Sequence, residues 1–218
     1  MFFFCMVLEL MLHTIYKRSM KRGKVVKRIG IICILLCLAA CSNATSAVNV
    51  NMYNEDGDMI GTAALSEGKD AVEIELKVEG IDSGFHGVHI HELPKCKGPE
   101  FKSAGNHLNP EDKQHGLMNE KGSHLGDLPN VKADDKGMIN AELTLPKATL
   151  KEGKTSLLQN NGTSLVITKG IDDGRSQPSG KSGKRIACGV IQEEKQRTND
   201  KGSPTDPTES EDNTEEEE

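Results

Sequence analysis

The sequence contains no tryptophan, only 3% aromatic residues and few runs with helical hydrophobic periodicity. With 22 glycines present, that scarcity disfavours a helix bundle or coiled coil and favours a turn-rich all-β fold. No basic stripe exists, and the net charge is −6, which argues against a nucleic-acid-binding protein. The uncharged run Ile29 to Ala40 has twelve residues, short of the roughly 20 that cross a bilayer core as a helix. What charge there is lies unevenly. Residues 1–28 carry seven Lys/Arg and one Glu, whereas residues 193–218 carry eleven acids and three bases. The stretch between them is mildly acidic and long enough for one domain.

The N-terminal stretch reads as an address. Lys21, Arg22, Lys24, Lys27 and Arg28 precede the uncharged run, which ends in Leu38-Ala39-Ala40-Cys41. A basic region, a short apolar region and small residues before a cleavage point describe an export signal over residues 1–40. A Cys directly after the small residues resembles a bacterial lipoprotein box, which implies acylation at Cys41 and anchoring to the outer face of the cytoplasmic membrane. Met20 is a more natural initiator than Met1, because Glu9 and His13 interrupt the apolar start, so residues 1–19 read as a gene-model extension. Residues 41–47 read as a lipid-anchored linker. Once the signal is removed and Cys41 acylated, Cys96 and Cys188 remain, in a compartment where disulfides persist.

From Val48 the pattern turns to β. Val72 to Glu79 alternates with a period of two and so presents one dry face. Val88 to His91 alternates too, with both His on one face; Ile139 to Leu145, Ser164 to Thr168 and Ile186 to Ile191 read as further strands. Turn signals stand at Glu55-Asp56-Gly57, Asp134-Asp135-Lys136-Gly137 and Asn160-Asn161-Gly162. Short strands at this spacing predict a sandwich or barrel over residues 48–192. Two stretches, about 92–130 and 170–184, resist strand assignment, and loops of that length in a compact domain usually carry function. Residues 193–218 read as a disordered acidic tail with too little apolar surface to fold.

Six of the seven histidines fall between His86 and His124. Imidazole is the commonest ligand for zinc and copper. His89 and His91, two apart on a strand, point the same way and could grip one ion. His115, His124 and Asp127 offer two nitrogens and an oxygen, and His107 would complete a tetrahedral set suited to zinc. No His-Glu-x-x-His helix is present, so that class of zinc protease loses support.

These residues carry a family resemblance. Gly84-Phe85-His86-Gly87-Val88-His89-Ile90-His91-Glu92 resembles the first signature of copper/zinc superoxide dismutases. Ser103 to Pro110 is similar to their bridging-histidine segment. Gln114-His115-Gly116 and His124 to Asn130 are similar to their zinc loop, and Gly183 to Ile191 to their closing signature. The order holds from about Val48 to Ile191. The resemblance implies an eight-stranded antiparallel Greek-key barrel or sandwich with two long functional loops. It assigns copper to His89, His91 and His107, and zinc to His107, His115, His124 and Asp127. It further implies a Cys96–Cys188 disulfide and an Arg185 that attracts superoxide. Asp172 becomes a carboxylate linking the two metal sites, and His86 a packing residue. Lys181 and Lys184 are expected near the mouth. Family members occur as monomers and dimers, so the assembly stays open.

One position departs from the pattern. The family's fourth copper-ligand His aligns with Thr168 in Leu165-Val166-Ile167-Thr168, and no His follows it. A neutral hydroxyl is a poor copper ligand, and Cu(II) favours four roughly tetragonal donors. The expectation is an extracytoplasmic superoxide dismutase of reduced activity, with zinc ligation intact. The alternatives are an inactive zinc-binding relative and a surface copper-transfer protein.

Overall fold

The computed structural model describes residues 47–193. The signal, Cys41, all but the last residue of the linker, and residues 194–218 of the tail lie outside the described residues. Nine strand segments are present: β1 (Ala47–Asn54), β2 (Met59–Glu67), β3 (Ala71–Val78), β4 (Gly84–His86), β5 (Val88–His91), β6 (Val131–Ala133), β7 (Ile139–Pro146), β8 (Thr163–Thr168) and β9 (Arg185–Ile191). Only Gly87 separates β4 from β5, so they form one interrupted strand and the described fold has eight strands. The first begins at Ala47, so the residue expected to end the linker is already paired, opposite Ser66.

Every strand pair is antiparallel. The main sheet runs β5-β8-β9-β1-β2-β3-β7, and β4 pairs with β6. The interrupted strand therefore reaches from the main sheet to β6. The tight turn Asp134–Met138 then joins β6 to β7, with the Asp134 N–H donating to the Met138 carbonyl at 3.0 Å. The chain leaves β3, passes through β4/β5 and β6, and returns as β7 to lie beside β3, a Greek-key path.

The alternation in β3 explains its place. Val72, Ile74, Leu76 and Val78 are buried at 2% exposure or less, while Glu73, Glu75 and Lys77 face out. Each such burial contributes about 1.5–3 kcal/mol. They meet Val50, Ala63, Leu65, Leu143, Leu145 and others in one core. Gly61, at φ +151°, permits the close approach of β2 to β3: a Cβ there would lie 2.1 Å from the Lys77 carbonyl oxygen.

β5 is different, because all four of its residues are buried. Val88 and Ile90 enter the core; His89 and His91 lie on the other face, under the long loops. One edge of β5 pairs with β8. The other edge would present bare backbone groups, and the loop of residues 92–130 covers it. The Ile90 N–H donates to the Gly126 carbonyl at 2.8 Å, the Leu108 N–H to the Ile90 carbonyl at 2.8 Å, and the Glu92 N–H to the Asn106 carbonyl at 2.9 Å. His89 thus bridges Asp127, and His91 bridges His107. The Cys96–Cys188 disulfide, with a Cα–Cα distance of 5.6 Å, ties the same loop to β9. Around it Phe101, Ala104, Val166 and Val190 form a second small core.

Candidate metal centre

Three imidazoles meet around Asp127 and make with it a set of four ligands. Its Oδ1 lies 2.9 Å from His107 Nδ1, 3.0 Å from His115 Nδ1 and 3.3 Å from His124 Nδ1. For Zn–N and Zn–O distances near 2.0–2.1 Å, a tetrahedral site has edges of roughly 3.3 Å, so the spacing fits. The other oxygen, Oδ2, accepts the backbone N–H groups of Gly116 at 2.8 Å and His124 at 3.0 Å. Burial alone would raise the Asp127 pKa. Hydrogen bonds from the three imidazoles and Gly116 outweigh it and hold the carboxyl far below the usual range.

A second set lies beside it. Ligating atoms of His89, His91 and His107 fall within 4.8 Å of one another. His89 Nε2 donates to Asp172 Oδ2 at 2.7 Å, and His91 Nδ1 donates to the Gly105 carbonyl at 3.0 Å. Those bonds fix the tautomers. They leave His89 Nδ1 and His91 Nε2 as buried lone pairs with no hydrogen-bond partner. Two converging buried lone pairs are costly unless a cation or proton lies between them. Burial, then the charges of His107 and Arg185, push the His91 pKa well below its ordinary value, which disfavours the proton. The donor set therefore fits a metal ion. His107 belongs to both groups: its Nδ1 faces Asp127, which leaves Nε2 for the second set. Burial pulls its pKa down to about 4, against the hydrogen bond to Asp127.

Asp172 joins the two sets. One oxygen meets His89 and the other lies 3.1 Å from His115 Nε2. Burial works against its charge, but the bonds from His115, His89 and the Gly174 N–H hold it well below the carboxylate range. His115, between Asp127 and Asp172, is raised to about 9, the two carboxylates outweighing its burial. A metal ion taken up at this imidazole would therefore displace a proton. Gly180 makes room here. At φ +64°, a Cβ on it would lie 1.8 Å from Asp172 Oδ1 and 2.9 Å from His115 Nε2.

Two amide side chains that the sequence reading gave no role hold this bridge. Asn130 donates to the Asp172 carbonyl at 2.9 Å and accepts the Asp172 N–H at 2.8 Å. Gln177 accepts the His115 N–H at 2.9 Å and donates to the His115 carbonyl at 3.0 Å. Asn130 closes the zinc-loop motif and was visible there; Gln177 sits in the second loop with no local signal.

Of the remaining expected residues, Thr168 and Arg185 line a cleft of about 420 Å³ together with His91, His107 and Ser182. Arg185 is half-buried, and its guanidinium donates to the carbonyls of Phe101 at 2.7 Å and Gly105 at 2.8 Å. Thr168 ends β8, opposite Arg185, with its hydroxyl 3.2 Å from the Gly87 carbonyl and 3.3 Å from that of Gly170. His86 stays outside both donor groups: its ring nitrogens lie 2.9 Å from the Thr168 carbonyl and 2.8 Å from that of Asp82. Lys184 departs from expectation. Its ammonium is bound by both carboxylate oxygens of Glu55, at 3.1 and 3.0 Å. Neither Lys184 nor Lys181 lines the cleft, where Arg185 is the one Lys or Arg among the described residues.

Residues 59–191 match the family described as copper/zinc superoxide dismutase (SODC). Superoxide dismutase [Cu-Zn] 2 of Aquifex aeolicus is 45% identical over 159 residues, 72% of this chain and 93% of that protein. A SOD-like protein from Bacillus subtilis superimposes with a TM-score of 0.65 at 33% identity, covering 68% of this chain and 99% of that one. The Cu/Zn superoxide dismutase from Brucella abortus does so with a TM-score of 0.58 at 30% identity, covering 67% and 100%. With its strand order, its paired donor sets and its disulfide in agreement, the chain belongs to the copper/zinc superoxide dismutase family.

Proposed function

We propose that this protein is an extracytoplasmic superoxide dismutase whose turnover is lowered because Thr168 stands where the family places its fourth copper-ligand His. The observation that carries the reading is the pair of buried lone pairs, His89 Nδ1 and His91 Nε2, beside a cleft that also holds Arg185. Zinc is assigned to His107, His115, His124 and Asp127, where it would serve structure, all four tetrahedral positions being filled by protein. Copper, if held by His89, His91 and His107, would supply the reversible one-electron transfer by which two superoxide anions and two protons become dioxygen and hydrogen peroxide.

The chain's own residues do the rest. Arg185 attracts the anion into a protein of net negative charge, by a local field rather than an overall one. Carbonyls of Phe101 and Gly105 fix its guanidinium against the cleft wall. Asp172 holds the His89 tautomer, and Gly105 that of His91; such partners raise ligand basicity. The long loops bury His89 and leave His91 and His107 at the wall of the cleft, where an anion can reach the donor set. The Thr168 hydroxyl is turned onto two backbone carbonyls and gives the centre no imidazole. Export and acylation at Cys41 belong to the same proposal. The uncharged run before Cys41 supports them, as does a disulfide of the kind that persists outside the cytoplasm.

The test is dismutase activity and metal content of the zinc- and copper-loaded protein beside Thr168→His. The expected result is copper binding with weak turnover in the natural protein and a rise of at least tenfold in the variant. Zinc without copper in the natural protein would favour the inactive zinc-binding relative. Copper bound and exchanged with no turnover would favour copper transfer.

A further inference from the structure

We propose that Glu92 is a positioning residue whose carboxylate clamps Asn106 and so sets the spacing of His91, His107 and Arg185. The inference rests on the assignment of copper to His89, His91 and His107.

Glu92 directly follows His91, and Asn106 directly precedes His107. The two residues are bound reciprocally. The Glu92 N–H donates to the Asn106 carbonyl at 2.9 Å. In return Glu92 Oε1 accepts the Asn106 N–H at 3.0 Å and the Asn106 side-chain amide at 3.2 Å. One carboxylate oxygen therefore takes two donors from the residue next to the bridging His. The clamp spans the isolated His91–His107 bridge, where two of the three donors of the second set come together.

The segment held this way carries more than His107. The Gly105 carbonyl accepts both His91 Nδ1 and the Arg185 guanidinium. Any shift of Gly105–Asn106 thus moves the bond that fixes the His91 tautomer and one of the two that fix Arg185. Gly105 itself leaves space for the carboxylate: a Cβ there would lie 2.8 Å from Glu92 Oε1. The zinc set has its own anchor, the Gly116 and His124 N–H groups on Asp127. The clamp therefore acts most on the copper set, where it holds two of three donors, and less on the zinc set, where it holds one of four.

The experiment compares Glu92→Ala and Glu92→Gln with the natural protein, zinc-loaded. Copper dissociation constants are measured by chelator competition, and amide hydrogen exchange is measured at Asn106. Loss of a group that orients a ligand costs about 10–100-fold in metal affinity, and for this part-exposed clamp the lower figure is expected in Glu92→Ala. Asn106 should exchange faster in the same variant. Glu92→Gln keeps an Oε1 acceptor and should stay within about twofold of natural copper affinity, since outer partners act through their bonds. Zinc affinity should fall less than copper affinity in Glu92→Ala, since His107 is one of four donors in the zinc set, and should be unchanged in Glu92→Gln. Natural copper affinity in Glu92→Ala would overturn the clamp, and so would equal losses in Gln and Ala, which would assign the effect to charge. A natural protein that takes up no copper would sink the dismutase reading instead, and Asn106 exchange would then decide the clamp by itself.

Discussion

The two halves of the centre are assembled in opposite ways. The half assigned to zinc is built on a carboxylate: Asp127 gathers three imidazoles on one oxygen and two backbone N–H groups on the other. Its charge satisfies every donor around it, so the site is held together by the protein before any cation arrives. The half assigned to copper has no carboxylate at its centre. It is made of strand residues whose outer nitrogens are bound and whose inner nitrogens face one another unpartnered. A centre closed by hydrogen bonds tolerates an absent ion, whereas one closed by lone pairs depends on it. The half that depends most on its ion is also the half in which, on the proposed reading, Thr168 stands in place of a family donor.

The largest expected effect breaks the first half. Asp127→Asn replaces the charge that all three imidazoles share. Zinc affinity should fall by more than about 100-fold, beyond the range for residues that only orient ligands. Chelator competition measures it; zinc retention at the natural level would show that the imidazoles alone make the site. Asp172→Asn comes next and tests the link between the halves. Because one carboxylate orients His89 and His115 together, zinc and copper affinities should each fall about tenfold. A fall in only one would mean that the two halves are set independently.

Much of this contrast could be read from the residues. The strand carrying His89 and His91, the loop carrying His115, His124 and Asp127, and both long loops lie where hydrophobic alternation and turn chemistry place them. β3 was legible because it is half-buried and keeps a strict period of two. β2, β4 and β6 were not. β2 mixes Ser, Thr and Gly into its pattern, and β4 and β6 are three residues each, too short for periodicity to register. The connection 147–162 gave no warning of its length, because Ala148, Leu150 and Leu157 are buried within it. Lys184 illustrates a different limit. A sequence places a charge near a mouth, but its partner, Glu55, is 129 positions away and only the fold brings it in. The role of Gln177 is hidden for the same reason, and Asn130, though it closes a motif, shows its partner only in the fold, since each amide is defined by a distant backbone group.

The smallest expected effect sharpens the comparison by supplying a carboxylate hub without imidazoles. Glu67, at the end of β2, accepts the Thr149 hydroxyl at 2.7 Å and the Leu150 N–H at 2.6 Å, and it pairs with Lys151 at 3.3 Å. It organises the 147–162 connection as Asp127 organises the zinc loop, but every donor it meets is an N–H or O–H group. Burial alone would raise its pKa; the bonds from Leu150, Thr149 and Lys151 outweigh that and hold it below the ordinary value of 4.5. A depressed carboxyl contributes stability that is present above the unfolded value and is lost as pH falls through the folded one. Glu67→Gln should therefore cost about 1 kcal/mol at neutral pH. The gap between the two unfolding curves should close as pH drops below about 4.5, the ordinary value from which the folded carboxyl is depressed. The same urea titrations, run with and without zinc, should show the same gap in both. If zinc widens or closes it, the two hubs are coupled through the barrel and the loops are not held separately.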